Sequence, residues 1–209
     1  MLAKFNALVL LFVLTVLTAS ELRAAEQPYP NIVYILADDL GFGDVSCYNA
    51  ESKIKTPHVD RLAVEGMRFT DAHTPSAVCT PTRYGILTGR YCWRTRLKYR
   101  VLDGLDPPLI EANRLTVPGL LREHGYSTGC VGKWHLGLQW TDKAGQAMPA
   151  VPIDRRTRPR PGSDVDYTVP ITGGPIDRGF DWYFGISASL NMSPFCYIEN
   201  DRPVRLPVL

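Results

Sequence analysis

The sequence lacks a hydrophobic run long enough to cross a membrane. Its longest, Ala7 to Leu17, falls short of the ~18 residues that a spanning helix needs. With Lys4 before it and small residues from Ala19 to Ala25 after it, the run predicts an export signal cut near Ala24, so that residues 1–24 leave and 25–209 form the domain. A retained membrane anchor is the alternative. An excess of one charge is also missing: 23 basic residues face 21 acidic ones, and losing Lys4, Arg23 and Glu21 leaves 21 against 20. That balance implies neither nucleic acid nor a membrane surface as partner. The five cysteines, at 47, 79, 92, 130 and 196, cannot all pair within one exported chain. Residues 141–178 lack apolar periodicity and are rich in Pro, Arg, Gly and Asp. They read as an irregular surface loop or insertion that shapes a pocket, its Arg155–Arg160 cluster either receiving an anion or simply solvated.

What the sequence does contain is an α/β rhythm. Asn31 to Ala37 is a continuous apolar, β-branched run, the pattern of a strand buried in a parallel sheet. Asp38-Asp39 follow at the carboxyl edge, where open α/β sheets collect ligands; they suit a cation, or else a turn that caps the next element. Thr56-Pro57 opens a helix that Gly66 closes, and Met67–Ala72 reads as a strand. Thr116-Val117-Pro118 opens another helix that ends at Gly125, before a short strand over Tyr126–Val131 in which Cys130 is expected as a buried thiol. Helices layered on a largely parallel sheet are therefore predicted.

Lys133 and His135 lie two apart just beyond that last strand, so extended backbone would project both to one side. Cys79 stands ahead of a predicted helix from about Pro81 to Leu87, stopped by Gly89. The amides and positive dipole end of such a helix favour anions near residue 79, and Arg83 adds a permanent cation one turn on. A buried or disulfide-bonded cysteine at a helix start is the plainer alternative. His58, His73 and His124 fit no catalytic pattern and read as structural or exposed.

Four blocks together resemble the type I, formylglycine-dependent sulfatases, arylsulfatase-like members of the alkaline-phosphatase-like superfamily. They are Cys79-Thr80-Pro81-Thr82-Arg83 running on to Thr88-Gly89-Arg90; Asp38-Asp39 with Leu40-Gly41-Phe42-Gly43-Asp44; Gly132-Lys133-Trp134-His135; and Gly179 to Ile186. The resemblance implies that a formylglycine-generating enzyme oxidises Cys79. The hydrated aldehyde is then a gem-diol that offers one oxygen to a metal while the other attacks sulfur. It further implies a divalent cation, Ca²⁺ rather than Mg²⁺, on Asp38, Asp39 and residue 79. Arg83 would lower the pKa of the diol hydroxyl and Lys133 would neutralise the sulfate oxygens. His135 would take the proton whose loss lets the diol eject sulfate. Ser189, with Ser187 the weaker candidate, would line the sulfate pocket.

The activity implied is that of a sulfuric ester hydrolase on a sulfated carbohydrate or aryl sulfate, in the periplasm or outside the cell. The family's later Asp-Asn pair and its further His and Lys find no match before Leu209. The resemblance thus covers an N-terminal portion, and the expectation is a chain that alone binds metal poorly and turns over little. Two readings stay open beside it: a phosphonate or phosphate monoester hydrolase of the same superfamily, and a sulfated-glycan binding module whose Cys79 is never converted.

Overall fold

The computed structural model describes residues 29–150 and 162–207. The predicted signal segment and the Arg155–Arg160 cluster fall outside them. No helix among the described residues is long and apolar enough to cross a membrane.

Helix α1 spans Pro57–Glu65, with Thr56 as its N-cap, Pro57 in its first turn, and Gly66 ending it. Helix α2 spans Cys79–Thr88 and stops at Gly89, whose φ of 63° is the left-handed cap that glycine adopts without strain. It begins two residues earlier than the sequence suggested. Pro81 is its third residue, still within the turn whose amides have no intrahelical acceptor, so its missing N–H costs nothing there. Helix α3 spans Val117–Glu123; the Thr116 hydroxyl accepts from the Gly119 amide at 3.2 Å and donates to the Arg178 carbonyl at 2.6 Å.

Strand β1, Gly129–Lys133, pairs in parallel with β2, Trp182–Ile186, in the register Val131 to Phe184. The sheet continues in antiparallel fashion through β3, Ile198–Glu199, and β4, Arg202–Pro203. The fold is therefore mixed α/β with a partial sheet, as the class prediction required.

Two predicted strands are absent. Among the described residues no backbone hydrogen bond pairs 31–37 or 67–72, and a strand without a partner ladder has nothing to hold it. The 31–37 segment is instead pinned at its ends. The Tyr126 hydroxyl donates to the Pro30 carbonyl at 3.1 Å and Asp38 is gripped by cations at the other end, while Val33 and Ile35 between them are more than four-fifths exposed. Between this segment and β1 lies a cavity of ≈ 1060 Å³ walled by Ile86 and Leu87 of α2 and Val117 and Leu121 of α3.

The core packs against α2 and reaches the cavity wall at Trp134 and Leu136. Tyr84 is fully buried there with Leu102, Leu105, Leu136, Leu138, Trp140 and Tyr183. Residues 139–150 and 162–172, part of the predicted irregular loop, are held by isolated bridges such as Gln139 to Thr172 and Asp142 to Val165. All five cysteines are unpaired. Burial pushes the Cys130 thiol up to about 11, which accords with the inert buried thiol expected there.

Candidate active site

The sequence placed Cys79, Asp38 and Lys133 on separate elements, and the fold brings them together. Cys79 is the first residue of α2, after Val78 in extended backbone, so its side chain leaves the helix at the amide end. Lys133 closes β1 and carries its ammonium to the thiol: Nζ is 3.1 Å from Cys79 Sγ, 2.5 Å from Asp38 Oδ2 and 3.3 Å from Ser189 Oγ. Arg83, one turn into α2, donates through Nη2 to Asp38 Oδ2 at 2.8 Å and through Nη1 to the Lys133 carbonyl at 2.5 Å. The other Asp38 oxygen faces Cys79 Sγ at 4.0 Å. The hydrogen bond from Lys133, joined by that from Arg83, outweighs partial burial and holds the Asp38 carboxyl far below the usual carboxylate range. Asp38 is thus a carboxylate at any working pH.

His135 is arranged differently from the prediction. It lies past the end of β1 with φ at 54°, so strand alternation does not extend to it and it does not share a side with Lys133 by that rule. Its side chain is almost wholly buried. Its amide donates to the Ser187 carbonyl at 2.9 Å and its own carbonyl accepts from the Thr80 hydroxyl at 2.9 Å. Nε2 lies 2.9 Å from the Leu102 carbonyl. A carbonyl only accepts, so Nε2 carries the proton and Nδ1 carries a lone pair. That lone pair has no partner among the described residues. Burial pulls the imidazole down to about 4, so the ring is neutral at pH 7 with a vacant acceptor.

Ser189 reaches Lys133, whereas Ser187 is buried with a hydroxyl that meets no partner among the described residues. His58, His73 and His124 are all exposed. Asp44 turns back to accept from the Gly41 amide at 3.1 Å and closes the 3₁₀ turn Phe42–Asp44. Two positions that hold His135 in place carry no signal in the sequence pattern. Thr80, whose hydroxyl also accepts from the Leu102 amide at 3.2 Å, ties α2 to the His135 loop. The Leu102 carbonyl fixes the His135 tautomer, and no side-chain pattern signals a backbone group.

Asp38 and Asp39 offer only oxygen, the donor that hard divalent cations prefer. Among the described residues no group of three or more His, Cys, Asp or Glu could hold a metal ion. The pair fits as part of the oxygen shell of a hard divalent cation, which takes six or more oxygens, but is not the whole of one.

A family model described as Sulfatase matches residues 30–201. The chain is 41% identical over 177 residues to an N-acetylgalactosamine-6-O-sulfatase of Bacteroides thetaiotaomicron, covering 85% of this chain and 30% of that protein. It is 32% identical to human arylsulfatase D, covering 98% of this chain and 30% of that protein. A solved Bacteroides thetaiotaomicron structure, titled for the metabolism of multiple glycosaminoglycans, superposes with a TM-score of 0.68 at 40% identity over 84% of this chain and 32% of that one. The chain therefore spans less than a third of the length of these relatives.

Proposed function

The chain belongs to the sulfatase family, and on that premise we propose that it carries the nucleophile side of a sulfuric ester hydrolase. One observation carries the reading: an ammonium, a guanidinium-held carboxylate and a helix amide end all converge on the side chain of Cys79. A thiol in that setting marks the place of formylglycine, which when hydrated supplies a hydroxyl nucleophile toward sulfur. A divalent cation, Ca²⁺ rather than Mg²⁺ by the resemblance to the family, would be held by Asp38, Asp39 and residue 79 and would supply positive charge next to that hydroxyl.

The chain's own residues do the rest. Lys133 bridges Cys79 and Ser189, so its ammonium and the Ser189 hydroxyl bind the sulfate oxygens and the ammonium neutralises charge that grows on them. Arg83 grips Asp38 from α2 and keeps it in place and ionised. Asp38 in turn shares Lys133, which holds the ammonium close to residue 79. We assign His135 as the base: its neutral ring is held at Nε2 with Nδ1 open, and Nδ1 would take the proton that must leave residue 79 before sulfate is released.

The substrate class we favour is a sulfated carbohydrate, supported by the names of the Bacteroides relatives. Export, through the signal segment at residues 1–24, and maturation by a formylglycine-generating enzyme complete the proposal. Mass spectrometry of the tryptic Cys79 peptide, after co-expression with that enzyme, tests it. The expected peptide carries the aldehyde, and an unmodified thiol would overturn the catalytic reading. Assays on paired aryl sulfate and aryl phosphate esters, using a chain with the length of its relatives, should show turnover of the sulfate ester. Faster turnover of the phosphate ester would reassign the reaction.

A further inference from the structure

Immediately after α2 the sequence runs from Arg90 to Arg100 with five cations and no Asp or Glu, interleaved with Tyr91, Trp93 and Tyr99. The candidate active site makes no use of this stretch. It is a built surface and not a loose loop. Cys92, Thr95 and Leu97 are buried, with Cys92 and Leu97 in the main core, and the residues between them face out. The Thr95 hydroxyl donates to the Cys92 carbonyl at 2.7 Å and accepts from the Leu97 amide at 3.1 Å, which fixes the turn.

On the outer side Tyr91 and Trp93 stack with centroids 5.7 Å apart and planes only 17° from parallel, though each is more than half exposed. The Arg94 guanidinium lies over the Trp93 ring at 5.9 Å. Lys98 Nζ donates to the Trp93 backbone carbonyl at 2.9 Å, which ties a second cation to the same turn. Two of the run's arginines serve the fold: Arg90 pairs with Glu111 and Arg96 reaches the Pro107 and Pro108 carbonyls. Arg94, Lys98 and Arg100 remain on the exposed side.

The path of the run gives it direction. It leaves the C-terminal end of α2 at Gly89, yet two residues beyond Arg100 the Leu102 amide bonds to Thr80 at the other end of that helix. The stretch therefore returns alongside the ten residues of α2, about 15 Å. It ends at Leu102, whose carbonyl holds His135. We propose that Tyr91, Trp93, Arg94, Lys98 and Arg100 form a binding strip for an anionic polysaccharide, sulfated along its length, that leads such a polymer toward the site. Stacked rings present one flat apolar face on which a pyranose can lie, and the cations take the sulfate groups. Single-stranded nucleic acid also seeks aromatics and cations, and preference for it is the outcome that titration with poly(dT) would expose.

The strip is tested with the Cys79→Ser chain, so that maturation and turnover play no part and failure of the catalytic reading leaves the result intact. Binding is measured by titration with dextran sulfate, unsulfated dextran and poly(dT) of matched charge. Dextran sulfate should bind in preference to both. The triple variant Trp93→Ala, Arg94→Gln, Arg100→Gln should bind it roughly tenfold or more weakly and lower the slope of log affinity against log salt by about two, one for each cation removed. Arg94→Gln alone should move both in the same direction, which guards against a folding defect in the triple variant. Unchanged affinity in the variants, equal binding of plain dextran, or tighter binding of poly(dT) would each overturn the proposal.

Discussion

Replacing Thr80 by Val isolates the hydrogen bonds that join helix α2 to the His135 loop. Thr80 is fully buried; its hydroxyl donates to the His135 carbonyl at 2.9 Å and accepts from the Leu102 amide at 3.2 Å. Valine has the same shape and the same β-branching, so neither a cavity nor a rotamer change confuses the result. The change strands one buried carbonyl and one buried amide. At ~1–3 kcal/mol for each unsatisfied group the cost is about 2–6 kcal/mol, larger than the few tenths that an added methyl could return. For a chain of this size each kcal/mol moves the melting temperature by roughly 2–4 °C, so a fall of roughly 4–24 °C is expected by calorimetry. The same variant should loosen the Leu102 carbonyl from His135 Nε2, and proton NMR of the imidazole should show exchange between tautomers that the wild type lacks. A melting temperature within about 2 °C of wild type, with a single tautomer retained, would refute the claim that Thr80 couples the two elements.

Other outcomes follow from the same geometry. The His135 ring sits at about 4 when folded against its ordinary 6.5, lowered chiefly by burial. The folded state therefore binds fewer protons, and a stabilisation of about 3 kcal/mol is present in full above pH 6.5 and is lost as pH falls toward 4; denaturant melts of wild type and His135→Gln across that range should converge at low pH, and parallel curves would refute it. Lys133→Met removes the largest cause of the low Asp38 carboxyl, so that carboxyl should titrate at higher pH by carbon NMR; in a chain of full relative length kcat on an aryl sulfate should drop by about 10²–10³. Gly104→Ala would set its Cβ 2.0 Å from the Ser193 carbonyl oxygen, a backbone clash expected to cost about 2 kcal/mol or more, read as a lower urea midpoint. An unchanged midpoint would mean that the two loops are not packed as described.

The parts of the site that local chemistry defines are legible in the amino-acid sequence. Cys79 and Arg83 come four apart on one helix, and Asp38 and Lys133 each sit at the end of an apolar run; the fold brings them to 2.5–4.0 Å although only the run that ends at Lys133 is a strand. What could not be read depends on neighbours. The run 31–37 has every local preference of a buried strand, yet strand formation is a contract with a ladder, and β1 pairs only with β2 on its far side. The apolar side chains of 31–37 and the open flank of β1 face one cavity, so the propensity is intact and the partner is what decides the outcome. His135 makes the same point at one residue. Strand alternation would have aimed it with Lys133, but a positive φ at the chain's exit from β1 turns it inward, and a backbone carbonyl 33 residues away selects its tautomer. The chemistry open to this histidine is therefore set less by its own identity than by which of its two nitrogens the fold has already occupied, and that choice is made by the Leu102 carbonyl, itself placed by Thr80 through a contact that no spacing in the sequence encodes.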